Sequence, residues 1–436
     1  MNDASVSVSQ PGGGEAAGRA GEAARPSRYA WAVLALTIGL MIADYLSRQV
    51  ITPAFAFIKF DWTLSDTQLG ALVSVVALVT GLFAIPISML ADRWGRVKSV
   101  TLMAVVWSLA TIACGLSAQY SQLLLSRALV GTAEAGYGGA GGAILAHVFP
   151  AKWRSTVFGL FLAGALIGSV LGVLIGGIVS VHIGWRAAFF IVAIPGLVFA
   201  LLYRLFVKDY KNPELVQTNA QGVATTVDTR WTTVLRNVFP NRSSVFTYLA
   251  SGFQYMITGV IVAWMPSFLG RTYFMRADRA ASVTALIVLM MAFGMFLGGR
   301  ITDRLTSRNP AFRGVMPALY CLCSAALLVT AFALPPGLLQ LVLLFTGALF
   351  VGGHSGVGPA IVTEVTSPAI RATAIATIVL ADNLLGLAPG PILAGWLSDL
   401  YGLRLALEVL TVASIVAAVF YFLASRNYAK DSATFA

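Results

Sequence analysis

Apolar residues in this chain gather into runs of about 20, set apart by short polar stretches, and a helix of that length crosses a hydrocarbon core. Inside lipid the backbone must satisfy its own hydrogen bonds, so each run is read as a helix. The pattern predicts spans over 29–57, 66–90, 97–117, 121–148, 153–180, 186–207, 243–270, 280–302, 313–334, 337–363, 369–397 and 402–425. That is six before and six after residues 208–240, the one long polar stretch inside the chain. The expected organisation is a disordered tail (1–28), a six-helix bundle (29–207), a linker (208–242), a second six-helix bundle (243–425) and a short tail (426–436).

The two halves repeat one another. Ser88 to Lys98, with Asp92, Arg93 and Arg96, returns as Gly299 to Arg308, with Asp303 and Arg304. Pro150-Ala151-Lys152-Trp153-Arg154 returns as Pro368-Ala369-Ile370-Arg371, Gly184-Trp185-Arg186 as Gly402-Leu403-Arg404, and Gly136-Tyr137 as Gly353-His354. The offsets run from 211 (Asp92 to Asp303) to 218 (Arg186 to Arg404), so the duplication covers the whole chain. Two similar halves in a membrane can rock against each other around a central site, which points to transport.

Composition agrees: 58% of residues are hydrophobic and 11% charged. The net charge of +11 is a topology signal and not one for nucleic acid. Lys and Arg crowd the N-terminal tail, the even-numbered loops, the linker and the C-terminus. Lys59, Arg186 and the cluster Arg271, Arg276 and Arg279 are exceptions. By the positive-inside bias both termini are expected in the cytoplasm, with the protein in the plasma (inner) membrane. The first apolar run is long enough to span and is read as a helix, not a cleaved signal. Cys114, Cys321 and Cys323 all fall in predicted spans, with no metal or disulfide spacing. No cofactor or metal is expected, and a monomer is the default.

The duplicated S/G-x-x-x-D-R pattern, Arg127-x-x-x-Gly131 on the fourth span and a glycine ladder on the fifth (Gly164, Gly168, Gly172, Gly176) resemble the major facilitator superfamily. Within it, R-A-L-V-G-T-A-E-A-G-Y (127–137), A-W-M-P-S-F-L (263–269) and N-L-L-G-L-A-P-G-P (383–391) resemble the spinster-like transporters; the anion:cation symporter branch shares the A-E-A-G-like segment. The resemblance implies an all-α membrane protein of twelve helices in two pseudo-symmetric six-helix bundles. Spinster-like proteins usually carry N-Y-x-D-R on the first span. Here the stretch is Asp44-Tyr45-Leu46-Ser47-Arg48, so the acid sits about one turn earlier.

Charges inside a bilayer cost about 2.5–3.5 kcal/mol at a helix centre and therefore need partners or a task. Asp44 and Arg48 stand at i and i+4 on one face of the first span. Arg127 and Glu134 stand seven residues apart on the fourth, on nearly one face and about 10 Å apart along the axis. In the family both spans line the central cavity. Glu134 is expected to bind the coupling proton, aided by Asp44. Arg127 favours its charged form when paired and releases it when substrate competes, while burial favours the neutral form. The alternative is a structural ion pair between the two spans. Arg48 and Arg127 are candidate anion clamps, because a guanidinium presents a planar fork to carboxylate or phosphate.

Asp382 and Asn383 form a second polar pair, in the eleventh span; Asp382 is either a second coupling acid or a packed polar contact. Tyr45, Tyr137, Gln254, Tyr255, Trp264 and His354 are candidate cavity liners, with ordinary packing as the plainer reading. The glycine ladder, and its counterpart Gly386, Gly390, Pro391 and Gly395, permit close helix packing. Asp92, Arg93, Arg96, Asp303 and Arg304 resemble the family's gate, where an Asp meets a helix N-terminus or an Arg across the half-interface. The expected function is secondary active transport by alternating access, proton-coupled, of a small organic anion or an amphipathic anionic lipid-like molecule, with protons and membrane lipids as its other partners. Two alternatives compete. One is an intramembrane serine hydrolase built on Ser355, which lacks a base at its depth because His147 and His182 lie elsewhere. The other is a membrane sensor without flux.

Overall fold

The structure is a computed structural model that describes residues 26–209, 216–218, 224–226, 241–309, 311–366 and 371–433. Most of the expected N-terminal tail and linker lies outside these residues; within the linker a ribbon pairs Val216–Thr218 with Ala224–Thr226. Among the described residues eleven helices are long and apolar enough to cross a membrane. They are the first (Arg28–Trp62), second (Asp66–Ala91), third (Arg96–Leu116), fifth (Thr156–His182) and sixth (Trp185–Phe206) spans. In the second half they are the seventh (Arg242–Tyr273), eighth (Ala277–Thr306), ninth (Phe312–Ala333), tenth (Leu338–Glu364), eleventh (Thr373–Tyr401) and twelfth (Leu403–Tyr428).

The fourth span completes the twelve in two segments, Tyr120–Glu134 and Tyr137–Val148. Its break falls at Ala135-Gly136. The tenth span breaks at the repeat-equivalent point, between Leu338–Gly353 and Val357–Glu364. Local sequence accounts for both, since glycine on either side of each break lowers helix propensity by up to about 1 kcal/mol relative to alanine. The first span ends its regular helix at Gln49 and tightens into a short turn over Thr52–Ala54, where Pro53 has no N–H to continue the helical ladder. The last helix runs to Ala433.

Small residues set the helix spacing. A methyl group at Gly164, Gly168, Gly172 or Gly176 would press on the first-span backbone at Ile38, Ile42, Leu46 and Val50 in turn. The fifth-span ladder therefore packs against the first span in matched steps of four. In the second half Gly386 and Gly390 play the same part against the seventh span, at Gly252 and Met256.

The halves meet along two seams, the second span on the eleventh and the fifth on the eighth. Gly70 abuts Pro391, Gly395 abuts the Asp66 carbonyl, and Gly177 abuts Ala281. All these contacts lie toward the face away from the chain ends. The hydrogen bonds between the bundles lie there too, joining Asp66, Thr67 and Ser74 of the second span to Arg271, Ile392, Ser398 and Asp399 of the second half. These links seal one face, and the opposite, parted face carries the chain ends.

An ion-pair lock holds the sealed face. Asp66, in the first turn of the second span, takes both arms of Arg271 from the end of the seventh span, at 2.6 and 2.8 Å. It also binds Lys59 (2.5 Å) and accepts from Ser398 of the eleventh span (2.5 Å). Asp399 caps the second-span helix in return, accepting from the backbone N–H groups of Asp66 and Thr67 at 2.8 Å and from the Thr67 hydroxyl at 2.6 Å. An acid facing a helix N-terminus is well placed for its dipole. Asp66→Ala would leave Arg271 and Lys59 facing each other without their acid. We expect it to part this face, lengthening the double electron–electron resonance distance between spin labels at Phe60 and Tyr401; an unchanged distance distribution would show that the seal does not depend on Asp66.

Candidate functional site

The first and fourth spans bring their charges together, as the family resemblance implies. Arg48 Nε stands 2.7 Å from Glu134 Oε2 and 3.4 Å from Asp44 Oδ1. Glu134 has a fully buried side chain, while that of Arg48 is 16% exposed. The approach to Glu134 is off-axis, so the contact is an ion pair without a well-aligned hydrogen bond. Tyr45, partly exposed, lies under the guanidinium with its ring centre 5.1 Å away. The order is therefore acids at the back, Arg48 in front, and an aromatic face beside it. Glu134 ends the first segment of its span, where the negative end of the helix dipole opposes a carboxylate and makes the Arg48 partner more necessary.

Arg127 does not hold Glu134 as expected. Its Nε donates to the Leu72 carbonyl (3.1 Å), and its two terminal nitrogens to those of Ser47 and Arg48 (3.0 Å each). The cause is the end of the first-span helix: its last-turn carbonyls have lost their in-helix donors. A guanidinium supplies several donors at once, and the helix C-terminus favours its charge. Arg127 thereby ties the first, second and fourth spans together and fixes the backbone on which Arg48 stands. We expect Arg127→Lys, which lacks the fork, to cost about 1–3 kcal/mol through unsatisfied buried carbonyls, read as a lower thermal unfolding temperature. Unchanged stability would contradict this role.

Four expected cavity liners sit inside the walls instead. Tyr137 is buried in the first bundle, donating to the Thr37 carbonyl at 2.6 Å and packed edge-on to Trp107. Gln254 is buried and donates to Ser324. Trp264 is buried at the sealed seam, where it donates to the Pro391 carbonyl at 2.9 Å and packs against Phe55 of the first half. His354 is fully buried at the tenth-span break, its Nδ1 2.7 Å from the Val351 carbonyl and its ring edge-on to Tyr255. None of the four offers surface to a solute in this state. Their rotation about the helix axis, which decides wall or cavity, is set by tertiary packing.

Asp382 and Asn383 open a stretch of π-helix, Asp382–Leu387, in the eleventh span. Asp382 pairs with the Ser251 hydroxyl of the seventh span, and Asn383 donates to the Val379 carbonyl at 2.9 Å. Ser355, the hydrolase candidate, is partly exposed within the tenth-span break, while the buried His354 beside it turns its Nδ1 to the backbone.

The expected gate residues lie toward the parted face. The side chain of Asp92 lies outside the described residues; Arg93 is exposed, and Arg96 is half-buried and partnered. Asp303 pairs with Arg313 of its own half at 2.5 Å, and Arg304 is exposed. Arg313 also binds Glu364, which accepts from Tyr428 at 2.6 Å. In this state, then, Asp303 is tied within its bundle and not across the interface. The Asp66–Arg271–Asp399 lock was missed in the sequence reading. Its signal was present in Lys59 and Arg271, the basic residues that broke the charge bias.

Comparison with known proteins fits this geometry. The profile of the Major Facilitator Superfamily matches residues 37–352. The hexuronate transporter of Bacillus subtilis (strain 168) is 26% identical over 66% of this chain and 69% of its own length. Protein spinster of Drosophila melanogaster is 26% identical over 85% of this chain and 62% of its own. Among solved structures, a bacterial homologue of the human lysosomal transporter spinster, in an inward-facing and unoccupied conformation, superposes with a TM-score of 0.84. It is 26% identical and covers 93% of this chain and 99% of its own. The spinster resemblance and the two-bundle, twelve-helix fold therefore hold. The chain belongs to the major facilitator superfamily, and it is a multi-pass membrane transporter, not an enzyme.

Proposed function

We propose that the protein carries a small organic anion, a carboxylate in the first instance, across the plasma membrane, coupled to the movement of protons. One observation carries the reading: Arg48, the least buried of the three charges in the cluster, is also the ion partner of a fully buried acid. An incoming carboxylate that takes Arg48 removes the cation from Glu134. A buried carboxylate left without its cation is costly, so it gains a proton. Substrate binding and proton binding then favour each other. The hexuronate transporter among the relatives supports a carboxylate. An amphipathic, lipid-like anion, which the resemblance to spinster-like transporters implies, is the second reading.

In this cycle the halves rock about the site, with both termini in the cytoplasm and the parted face inward, and a monomer suffices. The Asp66 lock opens as the other face closes, and Asp92, Arg93, Arg96, Asp303 and Arg304 form the gate of that second state. A thermal-shift screen of purified protein against glucuronate, galacturonate, cis,cis-muconate, a lysophospholipid and the uncharged sugars glucose and galactose tests the assignment. A carboxylate that stabilises the wild type but not Arg48→Ala supports it. Stabilisation by uncharged sugars alone, or equal stabilisation of Arg48→Ala, would contradict it.

A further inference from the structure

The second half holds an acid with no counter-ion. Asp382 is 8% exposed, deep in the eleventh span, and its hydrogen-bond partner is the neutral hydroxyl of Ser251. Among the described residues no lysine, arginine or histidine stands within ion-pair distance of it. The groups that face it are aromatic rings. Tyr255 comes from the seventh span and Tyr421 from the twelfth, while His354 of the tenth packs on both rings, 5.2 and 6.4 Å between centres. From the first half, Gly81 of the second span abuts Asn383 and Leu384, and Tyr45 of the first span lies near Tyr255.

Three physical points bear on this carboxyl. An ionised carboxylate without a cation costs several kcal/mol once removed from water. Ser251 supplies one hydrogen bond, whereas Glu134 in the first half has a guanidinium. The π-turn, in which Ala388 N–H bonds to the Asn383 carbonyl five residues back at 2.8 Å, is a local departure of the kind that concentrates at functional sites. It also lies against the second span of the opposite half, so rocking of the halves changes the surroundings of this turn directly.

We infer that Asp382 is a second proton-binding site, carrying a proton in the parted state and releasing it when the second span withdraws from the π-turn and water enters. Each bundle then has its own proton carboxyl, one governed by an ion pair and the other by the interface. The inference rests on the proton-coupled reading for its role in transport, but the bound proton is observable without substrate.

The test is infrared difference spectroscopy of the purified full-length protein in detergent, comparing light and heavy water. A protonated carboxylic acid gives a carbonyl band that shifts on deuteration, and D382N should lose one such band near neutral pH while E134Q keeps it. S251A should displace the same band by removing its hydrogen bond. If D382N does not fold, S251A decides: a displaced band supports the assignment and an unmoved one overturns it. A spectrum in which D382N retains every protonated-carboxyl band also overturns it. Loss of the band in D382N stands whether or not flux proves proton-coupled, so the two readings fail separately.

Discussion

Glu134→Gln is expected to abolish proton-driven accumulation in proteoliposomes while leaving counterflow exchange of substrate in place. A one-unit pH gradient supplies about 1.4 kcal/mol per coupled proton, a tenfold accumulation. The variant should lose that factor and settle at the concentration equilibrium. Glutamine keeps the shape of the side chain but cannot take up a proton, so the halves still rock with substrate bound. Glu134 is fully buried 2.7 Å from Arg48; a neutral amide there no longer needs the cation, and Arg48 becomes free for substrate at all times. Substrate affinity in the variant should therefore rise or hold and lose its pH dependence. Accumulation that still follows the pH gradient in Glu134→Gln would remove this residue from the mechanism.

Arg48→Ala should have the largest effect on the protein itself. It leaves Glu134 and Asp44 buried together without their cation, and breaking a buried pair on one side costs about 3–5 kcal/mol. The expected outcome is a large loss of thermal stability together with loss of anion binding. The two losses are separable. Adding Asp44→Asn and Glu134→Gln to Arg48→Ala removes the stranded acids, so stability should return while binding does not. Recovery of binding along with stability would mean that Arg48 acts only as a structural counter-ion, the plainer alternative raised by its position between two spans.

The twelve spans and their duplication were legible because lipid permits few solutions: apolar runs of spanning length must be helices, and a repeat of Asp92-Arg93 at Asp303-Arg304 marks two halves. Charges spaced four and seven residues apart showed which face of the first and of the fourth span carries them, and the family resemblance implied that the two faces meet. The choice of partner was not legible. Spacing within the fourth span pointed to Arg127 for Glu134, and what takes Arg127 elsewhere is the early end of the first-span helix at Gln49, which creates carbonyls that Arg127 must satisfy. Tyr137, Gln254, Trp264 and His354 look like cavity residues in a linear reading because they are polar or aromatic at mid-span. Only the packing of Trp107 on Tyr137, or of Phe55 on Trp264, turns them into walls. The Asp66 lock was hidden for the opposite reason, since charges at a span's end look unexceptional until the eleventh span is seen against the second.

The most direct measurement is proton uptake on substrate binding to purified protein in weakly buffered solution, followed with a pH-indicator dye. The account rests on competition for a single guanidinium: an anion that takes Arg48 must leave Glu134 to be protonated. Addition of a binding carboxylate should raise the pH of the medium in the wild type and leave it unchanged in Glu134→Gln. Binding with no proton uptake in the wild type, or with equal uptake in the variant, would contradict it.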